Sequence, residues 1–392
     1  MGSRINTKGN YTDGSVNKRV KELQNIEDRS EFFIITNIET LRNKDFQEAL
    51  NDKTETVFGM TVIDEIHKAK NPESGKVSQQ GKAIHKINSE YKLALTGTPI
   101  MNSPIEFYNI LKWLEIETRS LWHFRKQYAR MGGYGGYQVV GYQNLDELEQ
   151  LVDKVQLRRK KTEVLDLPPK VRTKEFIEMT SKQKTLYNEV QMSLANEIDK
   201  LESMPTNPLS MLTRLRQVTT IPEMLSSKIN VNPKFNRIKE IIEERNENDD
   251  KVLVFSNWTQ VINPLFEQLK AEGYNPAIIT GEIKDRQEQV NKFQNDKSCK
   301  VIVGTIGGMG TGLTLTAGST VIFTDKPWNM AEQEQAEDRA HRIGTTKTVN
   351  IISLVAKNSI DEKVENIIEE KDKYSKAMVD KKQLMRQLIG LE

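Results

Sequence analysis

The chain has 392 residues, 36% of them hydrophobic and 29% charged, enough for two or three domains with cores beneath heavily charged surfaces. One cysteine, Cys299, and four histidines exclude a disulfide framework and a metal cluster of known spacing, and leave a reducing compartment, cytoplasmic or nuclear, as the expectation. No apolar run approaches the roughly 18 residues of a bilayer span, and a net charge of +2 from 57 basic and 55 acidic residues permits nucleic acid without requiring it.

Residues 1–30 show little periodicity and are left as a poorly defined N-terminal segment. From 31 the pattern alternates between short apolar runs and helix-compatible stretches. Phe32–Thr36 reads as a buried strand, Val57–Ile63 as a second, and Lys92–Leu95 as a third, with a helical stretch over 78–88. Strands separated by helices predict a parallel sheet with helices on its faces, here over 31–116. After a helix over 104–114, residues 117–230 read as a mostly helical insertion and linker: a helix over 121–131, the loop Gly132–Tyr137, then long helical patterns over 181–201 and 209–218. Alternation resumes at Lys251, with strands at 252–255, 277–279, 300–303, 320–323 and 349–354, so a second α/β unit is expected over 231–360. A charged helix over 361–392 closes the chain. The charges are unevenly placed, with Leu157–Lys161 strongly basic and Ile242–Asp250 acidic.

In parallel sheets, functional groups collect where strands end at the carboxyl edge. Two sets of residues fall there. Asp64-Glu65 follows the strand ending at Ile63; adjacent carboxylates at such a point can hold Mg²⁺ and position the attacking water for nucleotide hydrolysis. Thr96-Gly97-Thr98-Pro99 follows the next strand, and small hydroxyl residues around a glycine allow close backbone approach and hydrogen bonding; an ordinary turn with a capping threonine is the alternative. Further on, Gly304, Gly307, Gly308, Gly310 and Gly312 crowd one turn after a strand, which suits backbone amides approaching phosphates, although no lysine follows. In Gln335–Arg342, Arg339 and Arg342 stand three apart, on one face of a helix, and two guanidinium groups suit the charge that develops on a triphosphate. The alternative for this pair is surface ion pairing with Glu337 and Asp338.

Taken in order, these segments resemble the Swi/Snf family of superfamily 2 helicase-like ATPases, which translocate on double-stranded DNA. Asp64-Glu65-Ile66-His67 resembles the family's Walker B motif, Leu95–Asn102 its third motif, and Ile35–Leu41 an earlier DNA-side motif. Leu157–Val164 with Leu167-Pro168-Pro169-Lys170 is similar to the family's signature after its helical insertion, and Leu212–Gln217 resembles the signature entering its second lobe. Val252–Trp258, Gly304–Leu315 and Gln335–Gly344 resemble the fourth, fifth and sixth motifs. The resemblance covers roughly 31–365 and implies two RecA-like parallel-sheet lobes with a helical insertion between them. It implies ATP and Mg²⁺ as cofactors, double-stranded DNA as partner, and lobe closure over ATP as the engine. Asp64 would bind Mg²⁺ and Glu65 position water, with Arg339 and Arg342 as arginine fingers. His67, Thr96, Gly310, Gly312 and Gln335 would line the nucleotide, while Thr36, Thr98, Asn102, Arg158, Arg159, Trp258 and Thr305 would lie near DNA. Met309 departs from the commoner glycine-rich form of the fifth motif.

No Gly-x-x-x-x-Gly-Lys-Ser/Thr occurs in the sequence. In the family that P-loop lies upstream of the Asp-Glu motif, so the first lobe is expected to be incomplete at its N-terminus, with the loop on a missing segment or a second chain and this chain inactive alone. A non-catalytic DNA-binding or regulatory module, and a strand-separating helicase, are the alternatives. The short insertions suggest a compact microbial or viral member.

Overall fold

In the computed structural model the residues described are 3–5, 15–24, 33–51, 58–69, 77–97, 103–132, 138–159, 161–200, 212–229, 231–309, 312–328 and 330–364. The chain divides into two compact units, 1–157 and 158–392. Among the described residues no helix is long and apolar enough to cross a membrane.

Unit 1 contains strands β1 (Ser3–Ile5), β2 (Phe33–Ile35), β3 (Phe58–Ile63), β4 (Ser89–Ala94), β5 (Ala129–Gly132) and β6 (Gln138–Tyr142). They form three two-stranded sheets: β1 antiparallel to β2, β3 parallel to β4, and β5 antiparallel to β6. Ile63 stands opposite Ala94, so β3 and β4 end at the same level. Under that end lies a core of Phe46, Leu50, Ile63, Ile66, Ile84, Ile110 and Trp113. The helix Lys44–Asn51 feeds this core with Phe46, Ala49 and Leu50, three and four residues apart and therefore on one face. Asn43 starts it by accepting a hydrogen bond from the Phe46 amide at 2.9 Å.

The first strands are less buried than their apolar sequences predict. Phe33 is 61% exposed, and Met60, Val62 and Leu93 are exposed on β3 and β4. Side chains alternate along a strand. Ile63 and Ala94 therefore face the core while Met60, Val62 and Leu93 point away from it.

Unit 2 contains β7 (Lys170–Ile177), β8 (Lys251–Ser256), β9 (Ala277–Ile279), β10 (Val301–Thr305), β11 (Gly318–Phe323) and β12 (Val349–Ala356). All six form one parallel sheet in the order β7-β12-β11-β8-β10-β9. Alternation sends Val252 and Val254 of β8 to one face, beneath the helices Pro233–Asn246 and Thr259–Ala271. It sends Leu253 and Phe255 to the other, with Phe293 of the helix Arg286–Asn295 and with Ala336 and Ala340. Both faces are covered, which is why these strands read as continuous apolar runs.

The stretch expected to be a helical insertion is helical over Leu121–Tyr128, Leu145–Asp153, Ser181–Lys200 and Thr213–Thr220, but it also carries β5, β6 and β7. The helix expected to reach 131 stops at Tyr128, where the chain enters the β5–β6 hairpin. β7 belongs to the second sheet, paired with β12 from Lys170 opposite Val349 to Ile177 opposite Ala356. It is an edge strand rich in charge, a composition that keeps edges from pairing with other chains and that hides the strand from an apolar pattern.

Candidate functional site

The carboxyl edge of β3 and β4 is built by backbone bonds that extend the ladder past both strands. The Leu95 amide donates to the Ile63 carbonyl at 2.9 Å, and the Ile66 amide to the Leu95 carbonyl at 3.1 Å. This folds Asp64-Glu65 against Leu95-Thr96. Glu65 has a φ of +50°, the left-handed region that costs a non-glycine residue about 1–2 kcal/mol, and strain of this kind collects at functional positions. The Asp64 carboxylate accepts from the Glu65 amide at 2.9 Å and stands exposed.

His67, only 4% exposed, joins the two strand ends. Its Nδ1 lies 3.1 Å from Glu65 Oε2 and 2.9 Å from Thr96 Oγ1. Of these two contacts the one with hydrogen-bond geometry is that to the Thr96 hydroxyl, while the Glu65 carboxylate stands close beside the ring. Glu65, His67 and Thr96 are thus brought together at one end of the two strands.

In unit 2 the arginine segment departs from its expected form. The helix Met330–Glu337 ends before Arg339, and the chain continues as a tight turn. The amides of Arg339 and Ala340 reach back three residues, to the carbonyls of Ala336 and Glu337 at 3.2 and 3.1 Å. Gly344, with φ +101°, closes the segment in a conformation that suits glycine. Glu337 and Asp338 are occupied by Arg172, Lys170 and Lys161, which answers the alternative that they serve as surface partners for the arginines. Arg342 is exposed and its Nη1 lies 3.4 Å from Thr314 Oγ1; Arg339 is half-buried and its carbonyl accepts from the Leu315 amide at 2.9 Å. The end of the glycine-rich segment therefore rests on the arginine turn. Gln335 Nε2 is shielded from solvent with no acceptor among the described residues.

Within the glycine-rich segment the reasons for glycine differ by position. A Cβ on Gly304 would lie 2.4 Å from the Ile279 carbonyl oxygen, so that glycine serves strand packing rather than phosphate approach. Gly312 has φ +70° and turns the chain toward Thr314. Gly310 lies outside the described residues, as do Thr98 and Asn102.

Thr305 and Trp258 share the carboxyl edge of the second sheet, since Thr305 stands opposite Ser256 at the end of β8. The Thr305 hydroxyl accepts from the Gly308 amide at 3.1 Å. Behind Trp258 is a polar hub that sequence reasoning missed. Asp325 accepts from the Asn257 amide at 3.0 Å and the Thr324 hydroxyl at 2.7 Å. Arg216, 2% exposed, lies 3.8 Å from Asp325 and sits between the rings of Trp258 and Trp328, at 5.1 and 4.7 Å. Burial pulls its guanidinium below the ordinary value, against the opposing charge of Asp325. Thr36 follows β2 and is half-buried, while Arg158 and Arg159 are exposed at the start of unit 2.

A model of the SNF2-related domain matches residues 7–224, more than half of the chain. The chain belongs to the SNF2-related family. A helicase conserved C-terminal domain matches 233–344, which includes the SNF2 arginine turn. An uncharacterized ATP-dependent helicase of Mycoplasma pneumoniae is 31% identical over 332 residues, 83% of this chain and 31% of the relative. The human DNA annealing helicase and endonuclease ZRANB3 is 30% identical over 329 residues, 80% of this chain and 29% of the relative. The chain spans about a third of the length of these curated relatives. Among solved structures, the Sulfolobus solfataricus SWI2/SNF2 ATPase core in complex with dsDNA is 26% identical, with 93% of this chain and 80% of that one covered and a TM-score of 0.49.

The SNF2 carboxylate end suits Mg²⁺. Among the described residues no group of three or more His, Cys, Asp or Glu could hold a metal. Mg²⁺ keeps most of its waters and is commonly held by one or two carboxylates together with substrate phosphates, which the exposed Asp64 can provide.

Proposed function

We propose that this chain forms part of an ATP-dependent motor that moves along double-stranded DNA. The observation that carries the reading is the cluster Glu65–His67–Thr96, in which one buried imidazole bonds the hydroxyl after β4 and stands 3.1 Å from the carboxylate after β3. Glu65, beside His67, orients the attacking water and accepts its proton. Asp64 would hold Mg²⁺, which would supply charge neutralisation to the nucleotide's phosphates. Arg339 and Arg342 supply guanidinium charge to the transferring phosphoryl group, and Gln335 Nε2 a further donor. Thr96, through His67, links the state of the nucleotide to the Thr98–Asn102 segment that follows it, on the DNA side. Thr36, Arg158, Arg159, Trp258 and Thr305 complete the DNA side, reading the duplex by its backbone.

The sequence contains no Gly-x-x-x-x-Gly-Lys-Ser/Thr. The proposal therefore assigns these 392 residues little ATP turnover by themselves, with a phosphate-binding loop as the part that completes the site.

The DNA part is tested by binding a fluorescent 30-base-pair duplex, or a single strand of equal length, to the full chain across a salt series. Backbone binding predicts tighter association with duplex and a linear fall in log affinity with log salt. Equal affinity for the two, or no salt dependence, would count against a duplex motor.

A further inference from the structure

The segment that opens unit 2 has a role that an ATP site alone does not assign to it. Residues 161–172 run alongside the arginine turn and touch it at successive positions. Arg172 grips Glu337 with two bonds, Nε to Oε1 at 3.0 Å and Nη2 to Oε2 at 2.6 Å. Lys170 Nζ adds a third at 2.9 Å, and Gln333 Nε2, one helical turn before Glu337, a fourth at 2.8 Å. Lys161 Nζ meets Asp338 at 2.5 Å, with Lys170 3.6 Å from its other oxygen. His341 Nε2, between the two arginines, lies 2.8 Å from the Pro168 carbonyl, which can only accept. The Pro169 carbonyl accepts from the Val349 amide at 3.0 Å and begins the β7–β12 pairing.

Glu337 is fully buried, and a buried carboxylate without partners would be strongly unfavourable. Burial alone would raise its carboxyl, yet the bonds from Arg172 and the charge of Lys170 outweigh that and hold it below the usual carboxylate range. A bidentate guanidinium fork fixes direction as well as charge. It acts at the residue where the regular helix stops, two positions before Arg339.

We infer that Lys161, Pro168, Lys170 and Arg172 form a positioning clamp that holds, through Glu337, Asp338 and His341, the turn presenting Arg339 and Arg342. Arg172 and Lys170 are positioning residues: they act on the arginines through Glu337. The inference rests on the reading of Arg339 and Arg342 as the phosphate-facing pair. It gives a physical task to the Leu167-Pro168-Pro169-Lys170 signature, whose prolines stiffen the approach to β7 and whose carbonyls anchor both sides of the turn.

The test is amide hydrogen exchange by mass spectrometry on the full chain, without nucleotide, comparing residues 338–345 with β10. Arg172→Met and Glu337→Gln are expected to speed exchange in 338–345 about tenfold or more, because each removes charge-assisted bonds at the turn. β10 should be unchanged. Arg172→Lys keeps the charge without the fork and should fall between, and Lys161→Ala, at a half-exposed contact, should give a smaller but local increase. Unchanged exchange in 338–345 would overturn the clamp. Equal acceleration in β10 would overturn it too, because the contacts would then serve global stability alone. If the Met and Gln variants fail to fold, Arg172→Lys and Lys161→Ala decide by the same two criteria. The functional reading fails separately: ATP turnover indifferent to Arg339 and Arg342 would remove their phosphate role and leave the exchange result standing.

Discussion

Glu65→Gln is expected to lower ATP turnover by about 10²–10⁴-fold, the range for removing a positioned general base, when measured in a form that also carries a phosphate-binding loop. Glutamine keeps the length of the side chain, and the His67–Thr96 hydrogen bond that joins the two strand ends does not involve Glu65. The strand ends therefore stay tied, and the change falls on proton acceptance. The loss should appear in kcat, with KM for ATP little altered, because the interaction is used at the chemical step. Turnover equal to that of the parent would remove Glu65 from its assigned role. A rise in KM with kcat unchanged would make it a binding residue instead.

Arg339→Ala carries the other large effect, about 10³–10⁵-fold in kcat, as for loss of an arginine finger. Arg339→Lys should recover little, since an ammonium on a flexible stem does not reproduce the planar fork. Arg342 is expected to behave in the same direction. Both arginines lie past the end of the helix Met330–Glu337, so truncating their side chains should leave the urea midpoint close to that of the parent. A large fall in midpoint with kcat preserved would show a structural residue. The sign of any pH effect is set elsewhere, by the buried carboxylate that anchors the turn. Glu337 is held below the ordinary carboxylate range, so the stability it contributes is present at neutral pH and is lost as acid protonates it.

Much of this arrangement is legible in the residues themselves. β8, β10 and β11 are covered on both faces and so read as apolar runs. Asp64-Glu65 was legible for the same reason, since it directly follows Ile63 at a strand end. Three features were not. β7 mixes lysine, arginine and glutamate with Val171, Phe176 and Ile177, and its partner β12 lies far along the chain, so pairing rather than local pattern makes it a strand. The helix expected to carry Arg339 and Arg342 stops at Glu337, whose side chain is gripped by residues 170 and 172 that no local window contains. Arg216 resembles an exposed charge of a polar helix in sequence, yet it is sandwiched between two indoles. In each case a partner far along the chain, the β12 ladder for β7 and charged or aromatic side chains for Glu337 and Arg216, overrides what the neighbours suggest. The exposure of Met60 and Val62 is of another kind, since an apolar run cannot say which of its alternating side chains will be covered.

Steady-state ATP hydrolysis, compared with no nucleic acid, single-stranded DNA and duplex DNA, tests the motor most directly. The form measured carries a phosphate-binding loop, and the 392-residue chain runs beside it. The account predicts little turnover by the chain alone. It predicts turnover in the loop-bearing form that duplex raises well above the other two conditions and that Glu65→Gln removes. Robust hydrolysis by the chain alone, indifferent to duplex and to Glu65, would contradict it.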